Sequence, residues 1–227
     1  MRPRQLLLDI RPDQEPGLDD FVIGSNDELV ARLHSMCEPR AFDQLYLWGP
    51  PGSGRSHLLR GAYQQALQYG RPASLIAAPA LEDELAAPPG GLVIVDDVDA
   101  LTEHGQGALF RTFNAARLVG LSLLLSGSEP PARLALREDL RTRIGATLVY
   151  QVHALSDAEK ASALMRHAET RGMTVDPALV DYLLNHGRRD LPALIKVLDA
   201  LDLASLEQQR PLTLPLLREI LQHSVTP

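Results

Sequence analysis

Cysteine is almost absent: Cys37 stands alone among 227 residues. One thiol cannot form an intrachain disulfide, so a disulfide-built secreted scaffold is excluded. Cys37 is expected simply as a small residue near a helix end. Long apolar runs are missing too. No stretch of about 18 uncharged apolar residues occurs, so no transmembrane helix is expected. Residues 1–13 have neither a long apolar segment nor a small-residue cleavage site, and no signal peptide is expected. A cytoplasmic location without a membrane partner follows as the expectation. Lysine is scarce, with only Lys160 and Lys196, and the formal net charge is −7. The arginines are spread along the chain apart from short pairs such as Arg188-Arg189. A protein that lives by gripping phosphate backbones carries a basic face, so direct DNA binding is not favoured by this balance. A local basic patch stays open, because net charge does not locate charge.

What is present is an alternation of strand and helix signals. Residues 1–20 are rich in Pro and Asp around one apolar knot, Leu6-Leu7-Leu8, and read as an extended tail. A short helix is expected over 26–34, capped by Ser25 or Asn26. Short apolar runs at 45–48, 74–77, 92–95, 121–125 and 147–152 read as buried strands. Helices are expected between them at 55–69, 80–87 and 104–118. Such alternation implies right-handed crossovers and a mostly parallel five-stranded sheet. After Val152 the alternation stops, and 156–171, 177–186, 191–206 and 214–223 all carry helical periodicity. The expected division is a tail over 1–16, an α/β base over 17–153 and a small helical lid over 154–227.

Gly49-Pro50-Pro51-Gly52-Ser53-Gly54-Arg55-Ser56 follows the first strand and opens a helix. It fits the phosphate-binding pattern G-x-x-x-x-G-K-[ST] at every place but one. Glycines let backbone N–H groups turn inward around a phosphate, and the helix dipole favours the same anion. Ser56 is the expected Mg²⁺ ligand. Arg55 stands where lysine reaches the β- and γ-phosphates; it keeps the charge but is bulkier and planar. Nucleotide binding is expected to survive, with ATP hydrolysis weak or dependent on a partner. About forty residues on, Leu92-Val93-Ile94-Val95-Asp96-Asp97 reads as a buried strand ending in paired acids. Asp96 suits Mg²⁺, and Asp97 suits orientation of an attacking water.

From here the chain resembles the DnaA-like AAA+ family, over nearly all of its length from about residue 18. Phe21-Val22-Ile23-Gly24 resembles the family's FVVG segment, and Gly54 to Leu59 its GKTHL. Val95-Asp96-Asp97-Val98 resembles its IDDI. Residues 124–131 resemble its sensor 1 strand and loop, and Leu140-Arg141-Thr142-Arg143-Ile144-Gly145 its SRFG-type box. Arg189-Asp190-Leu191 resembles the start of its sensor 2 helix. The resemblance implies an AAA+ P-loop NTPase base with a C-terminal lid, holding ADP or ATP with Mg²⁺. Phe21 and Val22 would lie against the adenine. Gly49, Pro51, Gly52, Ser53, Gly54, Arg55, Ser56 and His57 would hold the phosphates, although a solvated or packed imidazole is the simpler reading of His57. Ser126 would be the sensor 1 group, with Ser128 as its alternative. Arg189 would be the sensor 2 residue, Arg188 being the other choice. Arg143 would be an arginine finger acting in trans, whereas a salt bridge to Glu138 or Asp139 competes strongly for Arg141.

The departures from the initiator are informative. The chain is expected to leave no room for a C-terminal helix-turn-helix domain. It opens with Gln5-Leu6-Leu7-Leu8, which resembles the peptide that docks proteins onto the β sliding clamp. An extended segment could lay Leu6 and Leu8 in a groove while Gln5 hydrogen-bonds at its edge; an ordinary strand tucked onto the domain is the bland alternative. These features together resemble the Hda-type regulators, which inactivate DnaA. The resemblance implies a nucleotide-bound regulator that, with the DNA-loaded clamp, stimulates ATP hydrolysis by DnaA and represses re-initiation of replication. DNA would be met only through the clamp, and self-association as a homodimer is expected. Two other functions stay open: an autonomous AAA+ ATPase that remodels or loads a partner, and a non-catalytic DNA-binding accessory factor.

Overall fold

The computed structural model describes residues 17–83, 88–188 and 190–224. Five strands form the sheet: β1 Gln44–Trp48, β2 Ala73–Ala77, β3 Leu92–Asp96, β4 Ser122–Gly127 and β5 Leu148–Gln151. Their order is β2-β3-β4-β1-β5, and every pairing is parallel. Helices cover both faces: α1 Asp27–Cys37, α2 Arg55–Gln68, α3 Glu103–Val119 and α4 Glu138–Gly145. Four more follow the sheet: α5 Asp157–Thr170, α6 Pro177–His186, α7 Leu191–Gln208 and α8 Leu214–Ser224.

Strand periodicity explains how the core divides. Successive residues of a strand point to opposite faces, and in the central strands β1, β3 and β4 both faces are buried, so their interiors are largely apolar. Tyr46, Val93, Val95, Leu123 and Leu125 pack on one side against Ala108, Leu109 and Phe113 of α3 and Leu140 and Ile144 of α4. Leu45, Leu47, Ile94 and Leu124 pack on the other side against Leu29, Leu33 and Met36 of α1 and Leu58 and Leu59 of α2. The lid helices close around their own cluster, centred on Leu164, Leu183, Leu198 and Leu217. Ser156 and Glu159 cap each other reciprocally where α5 begins, the arrangement that an S-x-x-E sequence favours.

The structure differs from the sequence reading in two elements. No helix spans 80–87: a single 3-10 turn at Ala78–Ala80 leads into coil at Leu81, and residues 84–87 lie outside the described residues. Proline at the start of that turn has no N–H to extend a ladder. Conversely, α4 is a helix that periodicity did not announce, because only Leu140 and Ile144 anchor it. At the start of α1, Asn26 makes no side-chain cap. Its amide instead spans the fold: Nδ2 donates to Ile23 O and to His153 O, and Oδ1 accepts from His153 N at 2.8 Å. Asn26 is only 3 % exposed, so these bonds bind the front of the base to the linker entering the lid.

The strand order places the site. β1, β3 and β4 are adjacent, so their C-terminal ends deliver the P-loop, Asp96 and Ser126 to one edge of the sheet. That edge, where chain order reverses around β1, is where open α/β sheets hold ligands. Below it, buried Arg71 fastens the opposite end of the sheet through hydrogen bonds to the α1–β1 loop, to Gly90 and Gly91, and to Ser122.

Candidate nucleotide-binding site

The loop between β1 and α2 owes its shape to close approaches. A Cβ on Gly49 would stand 2.6 Å from Val152 O and 2.9 Å from Ser53 Oγ. Gly54 has φ +98, and a Cβ there would stand 2.7 Å from the Phe21 ring; no L side chain fits either condition. Gly54 caps α2 without a side chain, and the first turn of α2 holds no acid. The first N–H groups of a 14-residue helix are therefore presented with their dipole uncompensated.

Two buried polar atoms in this loop have no partner: Ser53 Oγ and Arg55 Nη1. A buried donor without an acceptor is costly, and a phosphate oxygen is the acceptor such a loop fits. The residues present thus fit a nucleotide's phosphates. Ser56 is exposed at the mouth of the loop. Phe21 and Val22 are half-buried; Phe21 lies on Gly54 and meets His57 edge-on, with ring centroids 5.6 Å apart. His57 turns toward the entering chain, with Nε2 3.3 Å from Gly17 O, and burial lowers its pKa. Its ring therefore packs under Phe21 and holds the backbone at residue 17.

The acidic strand end is tied together by Ser126. Its hydroxyl donates to Asp96 Oδ1 at 2.5 Å and accepts from Asp97 N at 2.9 Å. Ser128 instead donates its backbone N–H to Asp99 Oδ2 at 2.7 Å. Of the two serine choices, Ser126 is the one whose side chain meets the acids. Asp97 adopts a left-handed conformation, φ 62, uncommon for a non-glycine residue outside special sites. Burial raises its pKa, Asp99 raises it further, and the Arg55 charge opposes both. Asp99 escaped the sequence reading; a third acid two residues past the pair was its only signal. Tyr46 also escaped it. Its hydroxyl donates to Glu129 O at 2.6 Å, beneath Gly127.

From the lid, Asp190 caps α7 and comes within 3.8 Å of where a Gly52 Cβ would stand. Arg188 pairs with Asp190 at 3.3 Å, its side chain 85 % exposed. Arg189 lies outside the described residues, as do Gln5, Leu6 and Leu8. Arg143, on α4, is half-buried and carries its guanidinium 5.3 Å over the Phe110 ring. Among the described residues no carboxylate pairs with Arg143 or Arg141; Asp139 is taken by Arg137 at 2.7 Å instead. Arg143 lines a shallow depression of about 760 Å³ with Phe110, Arg137 and Thr142.

A base of parallel strands ordered 2-3-4-1-5 with a phosphate-loop sequence after β1, followed by a helical lid, is the arrangement of the AAA+ fold. Residues 157–221 match the family model described as Hda, lid domain. Domain III of the replication initiation protein DnaA from Thermotoga maritima superposes with a TM-score of 0.77 at 17% identity, covering 96% of this chain and 100% of that one. AMPPCP-bound DnaA from Aquifex aeolicus gives 0.69 at 17%, covering 86% and 67%. A RuvB variant from Thermotoga maritima gives 0.71 at 15%, covering 92% and 72%. The chain therefore has the DnaA-like AAA+ fold, and its lid is of the Hda type. Among the described residues, no helix is long and apolar enough to cross a membrane.

Proposed function

We propose that this chain is an Hda-type regulator of the initiator DnaA. It divides at residues 153–154 into a nucleotide-holding base and a lid, and works in the cytoplasm at the replisome. The observation that carries this reading is an Hda lid joined to a DnaA-like base. One of the similar initiator structures is bound to AMPPCP, and an adenine nucleotide is the ligand proposed for this site. Phe21 and Val22 flank the adenine; the loop from Gly49 to Ser56 holds the phosphates; Ser56 and Asp96 hold Mg²⁺. The metal would neutralise phosphate charge when bound. Asp97 orients water, and Arg189 reaches the phosphates from the lid. With Arg55 in the lysine position, the chain's own turnover is slow.

In this reading Gln5, Leu6 and Leu8 dock on the DNA-loaded clamp, a homodimer is the resting form, and DNA is met through the clamp. Arg143 then enters a composite site with ATP-bound DnaA. A planar guanidinium without a carboxylate partner, shelved on an aromatic ring, is ready to meet developing phosphoryl charge. A finger of this kind is worth about 10³–10⁵ in rate. The test is ATP hydrolysis by DnaA with clamp-loaded DNA, comparing the native chain with Arg143→Ala. Stimulation that needs both clamp and Arg143 supports the reading. Unchanged stimulation by Arg143→Ala rejects the finger, and turnover by the isolated chain moves the function to an autonomous ATPase.

A further inference from the structure

Helix α3 contains two glycines, which are unfavourable in a helix interior. Gly105 has a packing reason: a Cβ there would stand 2.7 Å from Leu81 O. Gly107 has none of that kind. The atoms nearest its Cβ position are the ends of two guanidinium groups, Arg111 Nη1 at 3.5 Å and Arg137 Nη1 at 3.9 Å. Two like charges from different elements thus converge over a residue that has no side chain to separate them. Arg137 reaches this point while its other nitrogen holds Asp139 at 2.7 Å. Arg111 is exposed, and among the described residues it has no ion pair. Arg137 and Arg143 line the same depression, where Glu138 is the acid not engaged by an arginine.

We propose that Arg111 and Arg137, converging on the gap at Gly107, form a second anion site that takes one phosphate group. It is distinct from the P-loop and stands beside Arg143. Two planar forks offering several N–H donors to one point match the oxygens of a phosphate better than they match each other. This site also supplies the local basic patch that a net charge of −7 conceals. The phosphate can come from a DNA backbone or from the polyphosphate chain of a nucleotide held by another molecule. The inference rests on the Gly107 geometry alone, so it survives or fails separately from the DnaA-regulator reading.

The test has two arms. A labelled DNA duplex is titrated by fluorescence anisotropy at low salt. Inorganic tripolyphosphate is titrated by calorimetry into protein already saturated with ADP, so that the P-loop is filled. Each arm compares the native chain with Arg111→Gln combined with Arg137→Gln, with Gly107→Leu, and with Arg210→Gln on the lid as control. At least one probe is expected to bind, weakened tenfold or more by the double substitution and by filling the gap, and unchanged by the control. Gly107→Leu separates binding from folding: leucine favours the helix, so its thermal midpoint should hold or rise while binding falls. Where the duplex binds, its log–log salt slope should be about −1 natively, for one phosphate neutralised, and near zero in the double variant. Duplex binding alone names the backbone as the source, and tripolyphosphate binding alone names the nucleotide. Binding of neither probe, or binding that the double variant retains, overturns the proposal.

Discussion

Replacing Arg71 with methionine should unfasten the base of the sheet. Arg71 is 2 % exposed. Nε donates to Gly90 O at 2.9 Å; Nη2 donates to Ala41 O at 2.8 Å, Gly91 O at 3.2 Å and Ser122 Oγ at 2.8 Å; Nη1 donates to Met36 O and Glu38 O. Burial lowers its pKa from the usual value, yet a guanidinium stays charged. Methionine fills much of the volume but satisfies none of these acceptors. Hydrogen bonds to charged groups contribute about 1.5–3 kcal/mol each, and the desolvation of the cation offsets much of their sum. Each buried acceptor left unpaired costs about 1–3 kcal/mol, and relief of the buried charge offsets part of that, so the net loss should be about 3–5 kcal/mol. That is a large share of the about 5–15 kcal/mol that holds a domain folded. Trp48, the only tryptophan, lies in β1 and reports the base in urea unfolding. The midpoint should fall with the slope unchanged. Arg71→Lys should rescue little, because three donors on one nitrogen cannot reach three loops. A loss below about 1 kcal/mol for Arg71→Met would refute the reasoning.

Asn26→Ala should cost about 2–3 kcal/mol for its three bonds, and amide exchange at His153 should accelerate; unchanged exchange there would deny the link between base and lid. Gly127→Ala should cost about 1–3 kcal/mol by overpacking, because its Cβ would overlap the Tyr46 hydroxyl; Tyr46→Phe in the same chain should recover part of that loss in thermal unfolding. Burial pushes the Cys37 thiol up to about 12 from 9.0, so a thiol reagent at pH 8 should label it only as the chain unfolds. Above about pH 9 the unfolded thiol ionises while the folded one keeps its proton, so stability should fall as pH rises from 9 toward 12, by at most about 1.4 kcal/mol per unit. The Cys37→Ala chain should lack that slope in urea titrations.

The sheet was legible because buried parallel strands must be apolar on both faces, and the P-loop because its glycines serve a backbone that no other residue allows. Which of Ser126 and Ser128 meets the acids was not legible: only the placement of Asp96 beside β4 brings the Ser126 hydroxyl to it. Other features had no local signature. Arg71 follows Gly70 like any surface arginine, and its acceptors come from three separate segments. Asn26 reads as a cap, yet its partner is 127 positions away. Asp139 has arginines at 137, 141 and 143 to choose from, and tertiary geometry gave it to Arg137. The helix expected over 80–87 failed because alanine propensity is a weak prior.

The 18 residues of α7 span about 27 Å, and its cap, Asp190, lies beside Gly52 of the P-loop. That geometry is a lever with its short arm at the P-loop. A tilt of about 10° about the first turn carries the far end by about 5 Å over such a length. Leu203 and Leu206, 42 % and 59 % exposed, ride near that far end. Of the residues on α7, those near its far end would travel farthest in such a tilt, and two of them are exposed leucines.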